Sequence, residues 1–522
     1  MLNEIRIGKY THGRIPGCGY QPNVRAKQVG LVLLSPEIAL SEKFKTKVLY
    51  DQAFQDHLVL VAIDEIHVVS EWGQRWRTPY GQLAVLRDTV RRSVPWLGCS
   101  ATLDPVTLAE VRDLSGFDPS VHIQRISIDR PDITFEIQAI QHQINSFRDL
   151  EFLVEPAQAA IKQAMEEKRE NMAREAFKDG GLVAAQAVLK STRHQRMDVR
   201  PDSRSHCKAI PKTIVYVDSI KQIMRVVTVM RTLLIRLGCS KTAAINAIKA
   251  YHSELAEFDK RRISEEFEKP DTESVLDSSA HRIIVATDAM GMGINNPDIR
   301  LLIQWGVPPS MRALVQRAGR VARGKGICGR FVWLVPTWCF GERTEHLPLR
   351  PAKKRMTEAE RRSLLPRGIW PLINQSSCIR AGILEYFGEK NASCTRSVSR
   401  CSKCAGDEVK IPTSKAGQPV RIIQSQKYIT EAVKLALVEW REAKGADVLS
   451  STFFSTTPAE LILPDKAITM ISRTATTVTS IGSLAYAVNG EWGDLASYGK
   501  EVLAVTQEAC LQAKFRKLEL GS

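Results

Sequence analysis

No run of apolar residues in these 522 residues approaches the ~20 that a membrane-crossing helix needs, so the sequence offers no membrane span. The opening segment MLNEIRIGKYTHGRIPGCGY lacks an apolar signal core followed by small residues, which argues against secretion. The eleven cysteines are therefore expected as thiols or metal ligands, not disulfides. No internal repeat recurs at a solenoid period, which excludes a repeat array. Also missing is any Gly-x-x-x-x-Gly-Lys-Ser/Thr loop: the nearest scraps, Gly8-Lys9-Tyr10-Thr11 and Gly324-Lys325, lack the other glycine at the required spacing. Such a loop supplies the backbone amides and the lysine that cradle a nucleotide's phosphates.

What is present is ordinary globular material, 44% hydrophobic and 25% charged, enough for three or four domains at ~100–200 residues each. The net charge of +16 points to a polyanionic partner, nucleic acid first, because Lys and Arg gain affinity from phosphates by releasing condensed counterions.

Residues 29–36 (VGLVLLSP) and 57–63 (HLVLVAI) are short apolar runs suited to strands buried on both faces of a parallel sheet. The pattern recurs at 212–217, 282–287, 300–305 and 330–335, each separated by enough chain for a crossover helix. The fold class is accordingly α/β, with two parallel-sheet lobes. The expected divisions are a first lobe over 1–140, a charged helical insertion and linker over 141–210, a second lobe over 211–340, a cysteine-bearing module over 341–410, and a linker with a helical module over 411–522.

Asp64-Glu65-Ile66-His67 follows LVLVAI directly, which sets two carboxylates at the C-terminal end of a strand, where open α/β sheets bind ligands. An acid pair there can hold Mg²⁺ through water and polarise the water that attacks a γ-phosphate. Next come Ser70-Glu71-Trp72-Gly73-Gln74-Arg75-Trp76-Arg77 and Ser100-Ala101-Thr102. Indole faces stack on unpaired bases at ~1–3 kcal/mol each, and neighbouring arginines take phosphates; Trp72, Arg75, Trp76 and Arg77 are thus nucleic-acid candidates. Later the chain reads Ala286-Thr287-Asp288-Ala289-Met290-Gly291-Met292-Gly293, then Gln316-Arg317-Ala318-Gly319-Arg320-Val321-Ala322-Arg323.

Together these segments resemble motifs II, III, V and VI of the superfamily 2 helicases, and the Trp-rich loop beside Asp64-Glu65-Ile66-His67 resembles the one that marks the RecQ family. The resemblance implies two RecA-like lobes and an ATP-dependent 3′-to-5′ DNA helicase acting on single-stranded or forked DNA. It implies catalytic roles for Asp64, Glu65, His67, Gln316, Arg320 and Arg323, nucleotide contacts at Asp288, Gly291 and Gly293, and DNA contacts at Ser100 and Thr102 beside the Trp-rich loop. Arg323 is the arginine-finger candidate. Ala322 stands where the family usually has glycine, and Tyr251-His252-Ser253 resembles the family's Tyr-His-Ala segment.

Cys378, Cys394, Cys401 and Cys404 lie in CIRAGILEYFGEKNASCTRSVSRCSKC, which resembles the RecQ zinc segment. Four thiolates suit a closed, structural tetrahedral Zn²⁺ site. The departure is the long gap between Cys394 and Cys401. LVEWREAKG, LILPDKAITMISRTA and LASYGKEVLAV loosely resemble the helical HRDC module. Residues 411–427 are too short for the winged-helix domain that normally precedes it.

LVLLSPE resembles the family's motif Ib strand, so about half of the first lobe is expected to be absent. Two explanations stay open: a truncated gene model or fragment of a full helicase, or a zinc-stabilised DNA-binding relative without motor activity. An RNA helicase of the DEAH type is a weaker reading, opposed by the Trp-rich loop and the cysteines. A nuclear location is expected from the DNA partner and basic runs such as Lys353-Lys354-Arg355.

Overall fold

The computed structural model describes residues 6–7, 31–72, 82–91, 93–191, 206–269, 281–290, 296–324, 326–344, 356–389, 394, 401–407, 409–410, 425–449, 459, 462–488, 492 and 495–519. The chain divides into two compact units: Met1–Arg130 with Arg380–Ser393, and Pro131–Ile379 with Cys394–Ser522.

Among its described residues the first unit holds four short strands. β1 (Arg6–Ile7) pairs antiparallel with β2 (Val32–Leu33), and β3 (Val61–Ile63) pairs parallel with β4 (Trp96–Gly98). The expected strand at 29–36 is therefore only two residues long and not parallel. The expected strand at 57–63 shrinks to Val61–Ile63, with residue 57 closing the helix Gln52–His57. The physical reason lies in pairing: among the described residues β3 has β4 as its one neighbour, so Val59, 79% exposed, and Leu60 have no sheet in which to be buried. A small core remains around Phe44, Val48, Leu49, Ile66, Val69 and Leu86. The returning residues 380–389 pack here: Arg125 donates to the Phe387 carbonyl (2.7 Å), and the Glu389 carboxylate accepts from the Ile128 N–H (2.8 Å) and the Ser127 hydroxyl (2.6 Å).

Among its described residues the second unit is built on one six-stranded, wholly parallel sheet. Its strands are β5 (Ile133–Ala139), β6 (Thr213–Tyr216), β7 (Ile248–Tyr251), β8 (Ile283–Ala286), β9 (Leu301–Trp305) and β10 (Gly329–Val335). They lie in the order β5-β10-β9-β6-β8-β7. β6 and β8 are buried at every residue, as expected of parallel strands covered on both faces. The helix Ile220–Arg236 places Ile223, Val226, Val227, Met230 and Leu234 in the core at the i, i+3, i+4, i+7 spacing of one helical face, and the Ser219 hydroxyl caps its start by accepting from the Gln222 N–H at 3.2 Å.

Two of the expected boundaries move. β5 pairs with β10 from Ile133↔Gly329 to Ala139↔Val335, so the first unit ends at Arg130 and not at residue 140. The charged stretch is a helix, Glu155–Ser191, broken in its helical geometry at Gly181. It is not a free insertion at its start, since Ala157 and Ile161, with Leu150, Leu153 and Val154 just before the helix, are buried in the second unit's core. Four helices, Lys427–Leu449, Asp465–Arg473, Ile481–Val488 and Leu495–Glu519, form the C-terminal module around Val433, Leu437, Leu463, Ile468, Leu484 and Val502. No helix among the described residues is long and apolar enough to cross a membrane.

Candidate nucleotide, nucleic-acid and metal sites

In the first unit, Asp64 and Glu65 leave the C-terminal end of β3. Asp64 is exposed, and its Oδ1 accepts from the Glu65 N–H at 2.9 Å. Glu65 sits at φ +51°, a left-handed conformation that costs ~1–2 kcal/mol for a residue with a Cβ and that clusters at functional sites. The turn drives Ile66 into the core and folds His67 back, 5% exposed. The His67 Nδ1 lies 3.1 Å from Glu65 Oε2 and 2.9 Å from Ser100 Oγ. Ser100 in turn contacts the backbone of Thr102, which is itself buried. One imidazole thus joins the acidic turn after β3 to the Ser-Ala-Thr turn after β4. Trp72 closes the short helix Val68–Trp72; its side chain, and Arg75, Trp76 and Arg77, lie outside the described residues.

In the second unit the C-terminal ends of β6, β8 and β9 meet the helix Met311–Ala318, whose first turn is capped by Ser310 (3.1 Å to the Ala313 N–H). Asp288 follows β8, while Gly291 and Gly293 lie outside the described residues. The centre of this arrangement is Arg317, which the sequence reading passed over in favour of Gln316, Arg320 and Arg323. Its side chain is 3% exposed. Nε and Nη2 reach Asp288 Oδ1 at 2.8 and 2.7 Å, Nη1 donates to Gln304 Oε1 at 2.5 Å, and Nη1 lies 3.6 Å from Asp218. The guanidinium also stacks 5.0 Å from the centroid of the Tyr216 ring. The signal was available: Met311, Leu314, Arg317 and Ala318 are all buried on one helical face, and an arginine among apolar positions needs a carboxylate.

Burial pushes the Tyr216 phenol up to about 12, against the pull of Arg320 and Arg317. Burial also raises the Asp218 carboxyl, opposed by Arg317. Arg323 is exposed, with its Nε donating to the Gly319 carbonyl at 3.1 Å. Ala322 sits at φ +55°, where glycine would be unstrained.

The four cysteines converge. Their sulfurs all lie within 4.8 Å of one another, with Cys378 and Cys394 3.3 Å apart and Cys378 and Cys401 3.9 Å apart. A tetrahedral ion with ~2.3 Å bonds to sulfur needs separations of ~3.8 Å, so the set fits Zn²⁺. Burial works against ionisation of Cys401, but N–H groups of Cys404 and Ile379 outweigh it and bring the thiol down to about 7. Beside them Lys403 donates to the carbonyls of Leu372, Ile373 and Ser376 at 2.7–3.0 Å, capping the helix Ile369–Asn374 with a cation next to the thiols.

Residues 203–325 match the family described as helicase conserved C-terminal domain. Over 467 residues the chain is 21% identical to the ATP-dependent DNA helicase hus2/rqh1 of Schizosaccharomyces pombe, covering 86% of this chain and 29% of that protein. It is 22% identical over 360 residues to the ATP-dependent DNA helicase RecQ of Pasteurella multocida, covering 69% and 43%. It spans less than half the length of these relatives. Among solved structures, the helicase Lhr of Mycobacterium smegmatis aligns over 55% of this chain and 30% of that one at 18% identity, with a TM-score of 0.33.

Proposed function

We propose, on the premise that this is a RecQ-like superfamily 2 helicase chain, that it acts as an ATP-dependent 3′-to-5′ DNA helicase. The observation that carries the reading is the Glu65-His67-Ser100 network, which ties the acid that would handle the attacking water to the turn that would touch DNA. Bound Mg²⁺-ATP would supply the transferable phosphoryl group and the charge that orients it. Asp64, exposed at the end of β3, would hold the ion's water shell. Glu65 would orient or deprotonate the water, and His67, held between Glu65 and Ser100, would pass a change at one turn to the other. Arg320 and Arg323 would neutralise developing phosphate charge, while Arg317 positions Asp288. Trp72, Arg75, Trp76 and Arg77 would bind single-stranded DNA. Cys378, Cys394, Cys401 and Cys404 would hold a structural Zn²⁺. Action on DNA agrees with a nuclear location.

A second reading has its own support: no Gly-x-x-x-x-Gly-Lys-Ser/Thr occurs within these 522 residues, which favours a zinc-stabilised DNA-binding chain without motor activity. ATP hydrolysis by the purified chain separates the two. A rate stimulated by single-stranded DNA and abolished by Glu65→Gln supports the motor; a background rate indifferent to DNA and to the substitution supports the binder.

A further inference from the structure

The chain that leaves β10 runs through Thr337–Thr344, and three side chains hydrogen-bond to its backbone. Arg362 donates to the carbonyls of Trp338 (2.7 Å), Phe340 (2.8 Å) and Glu342 (2.6 Å). Asn374 accepts from the Gly341 N–H at 2.9 Å and donates to the Cys339 carbonyl at 3.1 Å. The Trp370 indole donates to the Gly341 carbonyl at 3.0 Å. Gly341 itself is at φ +106°, and a Cβ there would meet the Arg362 guanidinium at 3.5 Å. This scaffolding fixes two aromatic and guanidinium pairs: Arg361 lies 4.0 Å over the Trp338 ring and Arg343 4.6 Å over the Trp370 ring.

Both indoles are half-buried and both arginines exposed. The guanidinium groups of Arg343 and Arg361 have no hydrogen bond or ion pair among the described residues, so their N–H edges are unspent while their planes are held by stacking. The acids on the helix of Arg361 are directed elsewhere: Glu358 lies 3.6 Å from Arg362, and the Glu360 carboxylate accepts from the Thr357 N–H at 2.7 Å. A stacked arginine with free donors offers a flat face for an unpaired base and a fork for a phosphate. The loop also continues the C-terminal edge of the parallel sheet, the edge at which such sheets bind ligands. Its strand, β10, is three places from β8, or roughly 14 Å at ~4.8 Å per strand.

We propose that Trp338, Trp370, Arg343 and Arg361 form a second contact for single-stranded nucleic acid, outside the helicase motifs. It rests on the reading of the chain as a nucleic-acid-binding helicase relative and adds to it a surface on the second unit alone. The probe is a fluorescein-labelled twenty-residue oligo(dT), and anisotropy is followed at several salt concentrations with the full chain.

The double variant Arg343→Ala/Arg361→Ala should bind about tenfold more weakly near 0.1 M salt, with a log–log salt slope shallower by about 1–2. Arg343→Lys/Arg361→Lys should recover the slope but not the affinity, because lysine keeps the charge and loses the plane. Affinity and slope unchanged in the alanine variant, with an unaltered circular dichroism spectrum, would overturn the proposal and leave the helicase reading intact. Full recovery by lysine would overturn the stacked arrangement. A parent chain that fails to bind the oligonucleotide would sink both.

Discussion

Arg317 clasps Asp288 through two nitrogens on one carboxylate oxygen, at 2.7 and 2.8 Å, and so ties the turn after β8 to the helix that carries Gln316 and leads to Arg320. The arginine is almost wholly buried while its partner is 58% exposed, so the geometry fixes the base of the carboxylate and leaves its other side open to a ligand. Removing the cation leaves the buried Gln304 carbonyl without its donor, while the exposed Asp288 carboxylate turns to water. Arg317→Met should therefore lower stability by about 1–3 kcal/mol, read by urea denaturation, whereas Asp288→Asn, which keeps an acceptor, should cost less than half of that. Equal, small losses would mean the pair is incidental.

Ala322 adopts φ +55° in the segment between Gly319 and Gly324. A methyl group in that region costs ~1–2 kcal/mol, partly offset by the greater freedom of an unfolded glycine. Ala322→Gly should accordingly raise the melting temperature, by the equivalent of ~0.5–1 kcal/mol. A lower melting temperature would show that the packing of the buried Ala322 methyl matters more than the strain.

His281 is buried, and its Nδ1–H donates to the Asn246 carbonyl at 2.9 Å. Burial, and then the charge of Lys249, bring the imidazole down to about 4. The unfolded chain takes up a proton near pH 6.5 that the folded chain refuses until about 4. Between those values the unfolded state binds more protons, so stability rises as pH increases from 4 to 6.5. His281→Gln should flatten that part of the melting-temperature profile; a profile as steep as the parent's would remove His281 as the cause.

Zinc content gives a separate check. One Zn²⁺ per chain is expected by elemental analysis, lost in Cys401→Ser together with thermal stability, since binding energy at a structural site is folding energy. A chain that purifies without metal and melts identically with and without a chelator would contradict the assignment.

How far the sequence could be read depended on what each segment meets in space. The apolar runs at β6, β8, β9 and β10 are buried on both faces, so composition alone located them to within a residue or so. β5 was missed although Ile133, Phe135, Ile137 and Ala139 alternate cleanly; sequence gives no sign that a strand so far from residue 211 joins that sheet. β7 is four residues directly after a helix, too short for periodicity to register. The Cys₄ cluster was legible despite its irregular spacing through the resemblance of its segment to the RecQ zinc segment, which separated these four from the other cysteines. Arg317 was legible only as a basic residue on the apolar face of its helix; that its partner is Asp288 depends on how the turn after β8 packs against that helix.

The most direct test is titration calorimetry of a non-hydrolysable ATP analogue into the full chain with Mg²⁺ present. The motor reading requires micromolar binding, weakened tenfold or more by Arg320→Ala; heat indistinguishable from dilution would contradict it and leave a DNA-binding chain without a motor.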